Sequence, residues 1–227
     1  MRTVSLTFGR ISSRVPAPVV LCALALLGTL LLAGAWLPTL RTHVLGLGGD
    51  PYQTLWRFSA LADAVSRGTL TIAEDPFKNF GPLPWLSFHL LAGEPLGYNL
   101  TWFLQFPLTA LAVYGLARLL AVSKGSATVA GLLTAFAPYR IAQSLGHFGA
   151  MQLFWIPLTL AALLWLLRRP SFSRVVALAA ALIGASWTEH VLFLTTLLAA
   201  ALTIGVCWRQ AAPTLRTRKG VVLAAVL

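Results

Sequence analysis

Charged residues are scarce in this 227-residue chain: they make up 10% of it, whereas hydrophobic residues make up 58%. An ordinary soluble domain has roughly 25% charged residues, and a soluble fold of this size could not bury so much apolar surface. The same composition excludes intrinsic disorder, which requires low hydrophobicity and high charge. The sequence therefore predicts a membrane protein whose main partner is the lipid bilayer.

Cysteines and acidic residues are also few. The two cysteines, Cys22 and Cys207, lie in apolar runs, a placement that predicts neither a disulfide framework nor a zinc site. Six acidic residues against 17 basic ones give a net charge of +11. Such a charge can indicate nucleic-acid binding. In a membrane protein, however, the sidedness of the basic residues matters more than their sum, so we expect no nucleic-acid partner.

Apolar runs near the ~20 residues that cross the hydrocarbon core predict an all-α, polytopic bundle of about six transmembrane spans. In chain order they are residues 15–40, 100–117, 124–140, 148–167 and two short spans within 174–209 that meet in a turn at 187–190. Another apolar run, 221–227, reaches only ~10 Å, a third of the core. We therefore interpret residues 1–227 as a single membrane domain, the N-terminal part of a longer protein, with the start of a seventh span.

Two features of this topology have alternatives. Residues 15–40 follow a basic N-terminus and contain Ala33-Gly34-Ala35, which is typical of a signal peptide, but the apolar stretch exceeds the usual ~7–15 residues, which favours a retained anchor. Residues 174–209 could instead form a re-entrant hairpin or one long span. The single span would bury Glu189 and His190 in the membrane, which is unfavourable.

The basic residues set the predicted orientation. With the N-terminus in the cytoplasm, 12 of the 17 basic residues fall inside, as the positive-inside rule requires. All six acidic residues and all four histidines then fall outside, so every group that could act as a general base at neutral pH lies on one side. We predict a multi-pass protein of the cell inner (plasma) membrane with a cytoplasmic N-terminus.

The long extracytoplasmic loop, residues 41–98, has predicted order of its own. Asp50-Pro51-Tyr52-Gln53 is typical of a helix start, apolar residues follow at helical spacing, and Gly68 is placed to end the helix. A second interfacial helix is predicted from Trp85 to Leu91. Gly93-Glu94-Pro95 then predicts a turn towards the next span.

Several stretches resemble a group of bacterial membrane proteins. They are Gly48 to Arg57, the Gly-Pro-Leu-Pro run at 81–84, Ala137 to Arg140, and Gly146-His147 before Trp155-Ile156-Pro157. In these stretches, and in its order of spans and loops, the chain is similar to membrane glycosyltransferases of the GT-C class, more narrowly to YfhO-type and glycosyltransferase 39-like proteins. The resemblance covers most of residues 15–208.

The resemblance implies a transferase that moves a hexose or pentose from a polyprenyl-phosphate donor to a glycan, lipid or protein acceptor on the outer face, usually with inversion. In such enzymes an acid in the first outer loop serves the catalytic centre, and the matching residue is Asp50. Inverting transfer needs a base for the acceptor hydroxyl and positive charge near the departing phosphate, for which Asp50 and Arg140 are candidates. The sequence has no Walker-type loop or Rossmann glycine pattern, which disfavours a nucleotide-sugar donor.

Three further residues are candidates for substrate binding. His147 lies within the resemblance, and Glu189 and His190 interrupt an apolar run, which is costly unless they face a cavity or water. Each candidate also has a structural explanation. Arg140 could be an interfacial arginine whose side chain extends to water, His147 an ordinary loop residue, and Glu189-His190 a short turn.

A divalent cation is a possible cofactor. Asp50 with Glu74 and Asp75 could hold Mg²⁺ or Mn²⁺, since these ions prefer oxygen ligands. The structural alternatives are a helix N-cap for Asp50 and a solvated turn before Pro76 for the other two.

Two other functions fit the pattern of spans. A multi-span transporter or lipid flippase would also have few interfacial charges, but transporters commonly place functional groups near the midplane, whereas these charges cluster outside. A non-catalytic membrane scaffold would explain the weak motifs, but it would not explain the long ordered loop.

Overall fold

The computed structural model describes residues 15–47, 50–68 and 83–217. Every regular element in these ranges is helical, which confirms the predicted all-α class. The α-helices are α1 (Ala17–Leu32), α2 (Asp50–Ser66), α3 (Leu86–Ala92), α4 (Leu96–Leu119), α5 (Lys124–Ala135), α6 (Pro138–Ser144), α7 (Trp155–Arg168), α8 (Phe172–Ser186) and α9 (His190–Thr217), with 3₁₀ turns at Gly34–Thr39 and Leu83–Trp85. Glu74, Asp75 and the run at 221–227 lie outside the described residues.

The structure has a helix at each of the six predicted spans. Within the described residues, two segments are long and apolar enough to cross a membrane, Leu96–Leu119 and His190–Cys207. The apolar helices α1, α7 and α8 have 16, 14 and 15 residues. At 1.5 Å per residue they rise ~21–24 Å, which is less than the ~30 Å hydrocarbon core. Six crossings therefore stay a prediction.

Two predicted spans are interrupted in the structure. The span expected at 124–140 ends as a helix at Ala135, and a separate helix, α6, begins at Pro138. Proline lacks the N–H that a continuing helix needs and disfavours helical geometry in the residue before it. The span expected at 148–167 begins at Trp155, because residues 146–154 form irregular turns.

Both predicted helices of the long loop are confirmed. Helix α2 starts at Asp50, ends at Ser66 and is followed by Gly68 with φ of 65°, a left-handed conformation that favours glycine. Helix α3, with the preceding 3₁₀ turn, covers the second. The predicted turn at 187–190 is also confirmed, since only residues 187–189 separate α8 from α9.

Helices α4 and α7 occupy the centre of the bundle. Helix α4 packs against α1, α3, α5 and α7, and α7 packs in turn against α8 and α9. Residues 120–123 and 169–171 connect α4 to α5 and α7 to α8. Connections this short make the joined helices antiparallel neighbours, so both turns lie at one end of the bundle and the α8–α9 turn lies at the other.

A stripe of small residues brings α5 close to α4. Ala127, Gly131 and Ala135 are buried on one face of α5 at four-residue spacing, the pattern that lets helix backbones approach closely in membrane bundles. A Cβ built on Gly131 would lie 2.6 Å from the carbonyl oxygen of Ala110 in α4. Only glycine fits this approach without a shift of one helix.

An aromatic core joins the long loop to the bundle. Phe58 of α2 meets Phe148 edge-on, with ring centroids 5.9 Å apart, and Phe148 also contacts Tyr98 of α4 at 5.5 Å. Asn99, which is fully buried, donates to the carbonyl oxygens of Leu40 and His43 at 2.7 and 2.8 Å. These contacts fix the loop over the same end of the bundle as the α8–α9 turn.

Candidate functional site

A cavity of about 370 Å³ opens at this end of the bundle, a volume within the ~300–1,000 Å³ range of ligand pockets. Three segments that are far apart in sequence form its walls. The first is the start of α2, the second is the irregular segment before α7, and the third is the α8–α9 turn. The lining residues are Asp50, Gln53, Thr54 and Arg57 from the first, His147, Phe148, Gly149 and Gln152 from the second, and residues 187–191 from the third.

One face of α2 forms the first wall. Asp50, Gln53, Thr54 and Arg57 follow the i, i+3, i+4, i+7 spacing that places residues on one side of a helix. Phe58 is fully buried in the aromatic core. Because this hydrophobic contact fixes how α2 is rotated, it determines that Asp50 and Arg57 face the cavity.

Asp50 and His147 are in direct contact in the cavity. Asp50 Oδ2 lies 2.8 Å from His147 Nδ1, and about half of each side chain is exposed. A carboxylate can only accept a hydrogen bond, so a neutral imidazole in this contact has its proton on Nδ1. Its Nε2 then has a free lone pair and can accept a proton from a bound molecule.

Backbone contacts hold the segment that carries His147. The His147 N–H donates to the carbonyl oxygen of Gln143 at 2.8 Å. The indole N–H of Trp102, a fully buried residue of α4, donates to the carbonyl oxygen of Ser144 at 2.7 Å. The Leu47 N–H bonds the carbonyl oxygen of Leu145, which ties this segment to the chain just before α2.

Arg140 does not line the cavity. Its side chain is fully buried, its Nη1 donates to the carbonyl oxygen of Met151, and its guanidinium lies 5.0 Å from the centroid of the Phe106 ring. The structure thus places Arg140 behind the wall formed by residues 147–152, not where it was predicted to meet a phosphate.

Glu189 and His190, predicted as substrate-binding residues, both lie in the cavity wall opposite α2. The Glu189 side chain rests on Gly149, where an added Cβ would lie 2.5 Å from Glu189 Cγ. The absence of a side chain at position 149 therefore lets the acid of the α8–α9 turn approach the segment that carries His147.

The predicted metal site gains no support from the described residues. They include no group of three or more His, Cys, Asp or Glu residues placed to hold a metal ion. Asp50 has His147 as its neighbour in the cavity, and Glu74 and Asp75 fall in the range 69–82 that the structure does not describe.

Several lining residues were not predicted from the sequence. Arg57 lies two helical turns after Asp50, and that spacing alone was a usable signal. Gln152, Trp187 and Thr188 follow no such pattern, since they lie in irregular turns whose positions depend on packing between distant helices.

No protein-family model, curated protein or solved structure matches this chain. A functional assignment therefore depends on the chemistry of the cavity together with the sequence resemblance.

Proposed function

We propose that this protein is a membrane glycosyltransferase that moves a sugar from a polyprenyl-phosphate donor to an acceptor hydroxyl at the outer face of the inner membrane. The observation that carries the proposal is the 2.8 Å contact between Asp50 and His147 in an open cavity that also contains the cation Arg57. A base and a cation in one cavity are the groups that inverting sugar transfer from a phosphate requires.

The exposed apolar surface supports a membrane location. Helix α9 has a row of strongly exposed aliphatic side chains, the residues Val191, Leu194, Leu198, Leu202 and Val206. Large apolar patches of this kind are rare on soluble monomers and mark surfaces that contact lipid or protein. We propose that α1, α4, α5 with α6, α7, α8 and α9 form the six crossings.

The distribution of charge supports the proposed orientation. Basic residues occur at the bundle end where the turns 120–123 and 169–171 lie, namely Arg118, Lys124, Arg168, Arg169 and Arg174. Asp50 and Glu189 lie at the opposite end, in the cavity. By the positive-inside rule, this distribution supports a cavity on the outer side and an N-terminus in the cytoplasm.

In the proposed reaction, the Asp50–His147 pair acts as one base. The acceptor hydroxyl gives its proton to His147 Nε2 while its oxygen attacks the anomeric carbon of the donor sugar. The bond between that carbon and the phosphate oxygen breaks, and the polyprenyl phosphate leaves with the electron pair. Asp50 stabilises the imidazolium that forms, as a carboxylate does beside a catalytic histidine.

Arg57 is the proposed partner of the donor phosphate. It lies on the same face of α2 as Asp50 and lines the cavity. A guanidinium can bind two phosphate oxygens at once, and its charge stabilises the leaving phosphate as the bond to the sugar breaks.

The test is sugar transfer from radiolabelled polyprenyl-phosphate hexoses and pentoses by the purified full chain and its Asp50→Asn variant. We expect transfer by the parent and a loss of at least ~100-fold in the variant, because asparagine has no charge to stabilise the imidazolium that forms on His147. Asparagine has nearly the same size and shape as aspartate, and about half of the Asp50 side chain is exposed, so the variant should keep its thermal stability.

Asp63→Asn is the matched control. Asp63 lies on the same helix, is exposed, and pairs with Arg67 at 3.3 Å away from the cavity. It should transfer sugar at the parent rate. Parent-like transfer by Asp50→Asn would contradict the role of Asp50, whereas lipid flipping in liposomes without transfer from any donor would favour the transporter.

A further inference from the structure

Gln152 is an almost fully buried polar residue in the cavity wall, with 1% of its surface exposed. Its side-chain oxygen Oε1 accepts two hydrogen bonds. The indole N–H of Trp85 donates at 3.2 Å and that of Trp155 at 3.4 Å. Two aromatic residues from different segments thus meet at one amide oxygen.

These two bonds fix the orientation of the amide. An indole N–H can only donate, so the oxygen must face the tryptophans and the NH₂ group must point away from them. None of the described residues accepts a hydrogen bond from Gln152 Nε2. Rotation of the amide would place NH₂ against two donors and break both bonds, so the orientation is built into the fold.

Packing also holds both indoles in place. Trp85 meets Phe154 edge-on with centroids 6.1 Å apart. The Trp155 ring lies against Gly184 of α8, where an added Cβ would be 2.1 Å from the indole. The rigid frame around Gln152 therefore extends from the loop before α3 to α8.

We infer that Gln152 is a specificity-determining residue whose NH₂ group donates a hydrogen bond to a hydroxyl oxygen of a sugar bound in the cavity. The inference rests on the proposed transferase function and adds to it which sugars the cavity would prefer to bind. A hydroxyl group both donates and accepts, which matches a cavity where one amide donor is fixed and the carboxylates Asp50 and Glu189 can only accept. The hydroxyl belongs either to the donor sugar or to a sugar acceptor.

The experiment measures equilibrium binding to the purified full chain. One arm uses radiolabelled short-chain polyprenyl-phosphate hexoses and pentoses with their single-deoxy analogues. The other arm uses methyl glycosides with the same deletions, so the two arms distinguish a donor hydroxyl from an acceptor hydroxyl. For one of the deoxy analogues, the dissociation constant of the parent should be about tenfold higher, or more, than for the sugar that has the hydroxyl. Loss of that oxygen leaves a buried donor unpaired.

Two variants test whether Gln152 forms a hydrogen bond with that hydroxyl. Gln152→Glu keeps oxygens that both indoles can reach and removes the NH₂ donor, and Gln152→Met removes all polar atoms. Gln152→Met should bind the sugar and its deoxy analogue equally. The carboxylate of Gln152→Glu can accept a hydrogen bond from the same hydroxyl, so this variant should still discriminate. Gln143→Met, the same change on α6 away from the cavity, should keep the full difference.

A third variant tests the inference without a substitution at position 152, in case such substitutions prevent folding. Gly184→Ala leaves Gln152 in place but forces the Trp155 indole to move, and it should reduce the preference for the hydroxyl while the helices stay intact. Full discrimination by Gln152→Met, or no binding of any probe by the parent, would overturn the inference. Discrimination that depends on Gln152 without sugar transfer would keep the inference and contradict the transferase.

Discussion

At the residue scale, Arg57 and Arg140 show how surroundings decide the role of a cation. Arg140 was the predicted phosphate partner, yet its guanidinium is buried between Phe106 and the carbonyl oxygen of Met151. Arg57 instead lines the cavity on the same helix face as Asp50. The burial of Arg140 could not be predicted, because both of these contacts come from other elements and the residues next to Arg140 in sequence do not indicate them.

We expect Arg57→Gln to raise the KM for the lipid-phosphate donor about tenfold or more, because the neutral side chain no longer binds the phosphate charge. The KM for the acceptor should stay unchanged, and so should thermal stability. Initial-rate kinetics with each substrate varied in turn would measure both constants.

Arg67→Gln provides the control for this change. Arg67 lies ten residues further along the chain, where its side chain is 72% exposed and pairs with Asp63 outside the cavity. An equal rise in KM for both variants would indicate a general effect of positive charge near the membrane surface and would remove the specific role of Arg57.

At the element scale, helix boundaries with local signals were predicted well. Helix α2 begins at Asp50-Pro51 and ends before Gly68, as predicted, because proline suits the first turn of a helix and glycine suits the left-handed backbone after the last turn. The break before Pro138 also had a local signal, the proline itself, although it lies within a single apolar run. The turns at 146–154 had none, since they are held by Arg140 through the carbonyl oxygen of Met151 and by the packing of Phe148 on Phe58 and Tyr98 of other helices.

The contact between α4 and α5 gives a prediction about stability. Gly131→Ala should destabilise the protein by about 1–3 kcal/mol, the usual cost of overpacking, since its Cβ would lie 2.6 Å from the Ala110 carbonyl oxygen. Thermal unfolding in detergent, followed by circular dichroism, measures the change.

Gly115→Ala in α4 makes the same substitution where nothing lies within 4 Å of the added Cβ. Alanine is the better helix former, so this variant should be as stable as the parent or more stable. Equal unfolding temperatures for the two variants would contradict the close approach of α4 and α5.

At the scale of the whole molecule, the proposed topology places the cavity outside and the α7–α8 turn inside. In a chain with Cys22 and Cys207 replaced by serine, we expect a membrane-impermeant maleimide to label Thr42→Cys in intact cells. Ser173→Cys should react only after the cells are permeabilised. Both positions are exposed in the structure, so lack of accessibility would not obscure the result, and labelling of Ser173→Cys in intact cells would reverse the orientation.

The three segments that form the cavity are also made at different times. Asp50 leaves the ribosome first, His147 follows after α4 and α5, and the wall with Glu189 is present only once the α8–α9 turn has been synthesised. A chain that stops before residue 187 would have the acid and the histidine but no wall opposite them. Premature termination would then give an inert fragment, because the groups that are made first depend on the last segment to enclose a substrate.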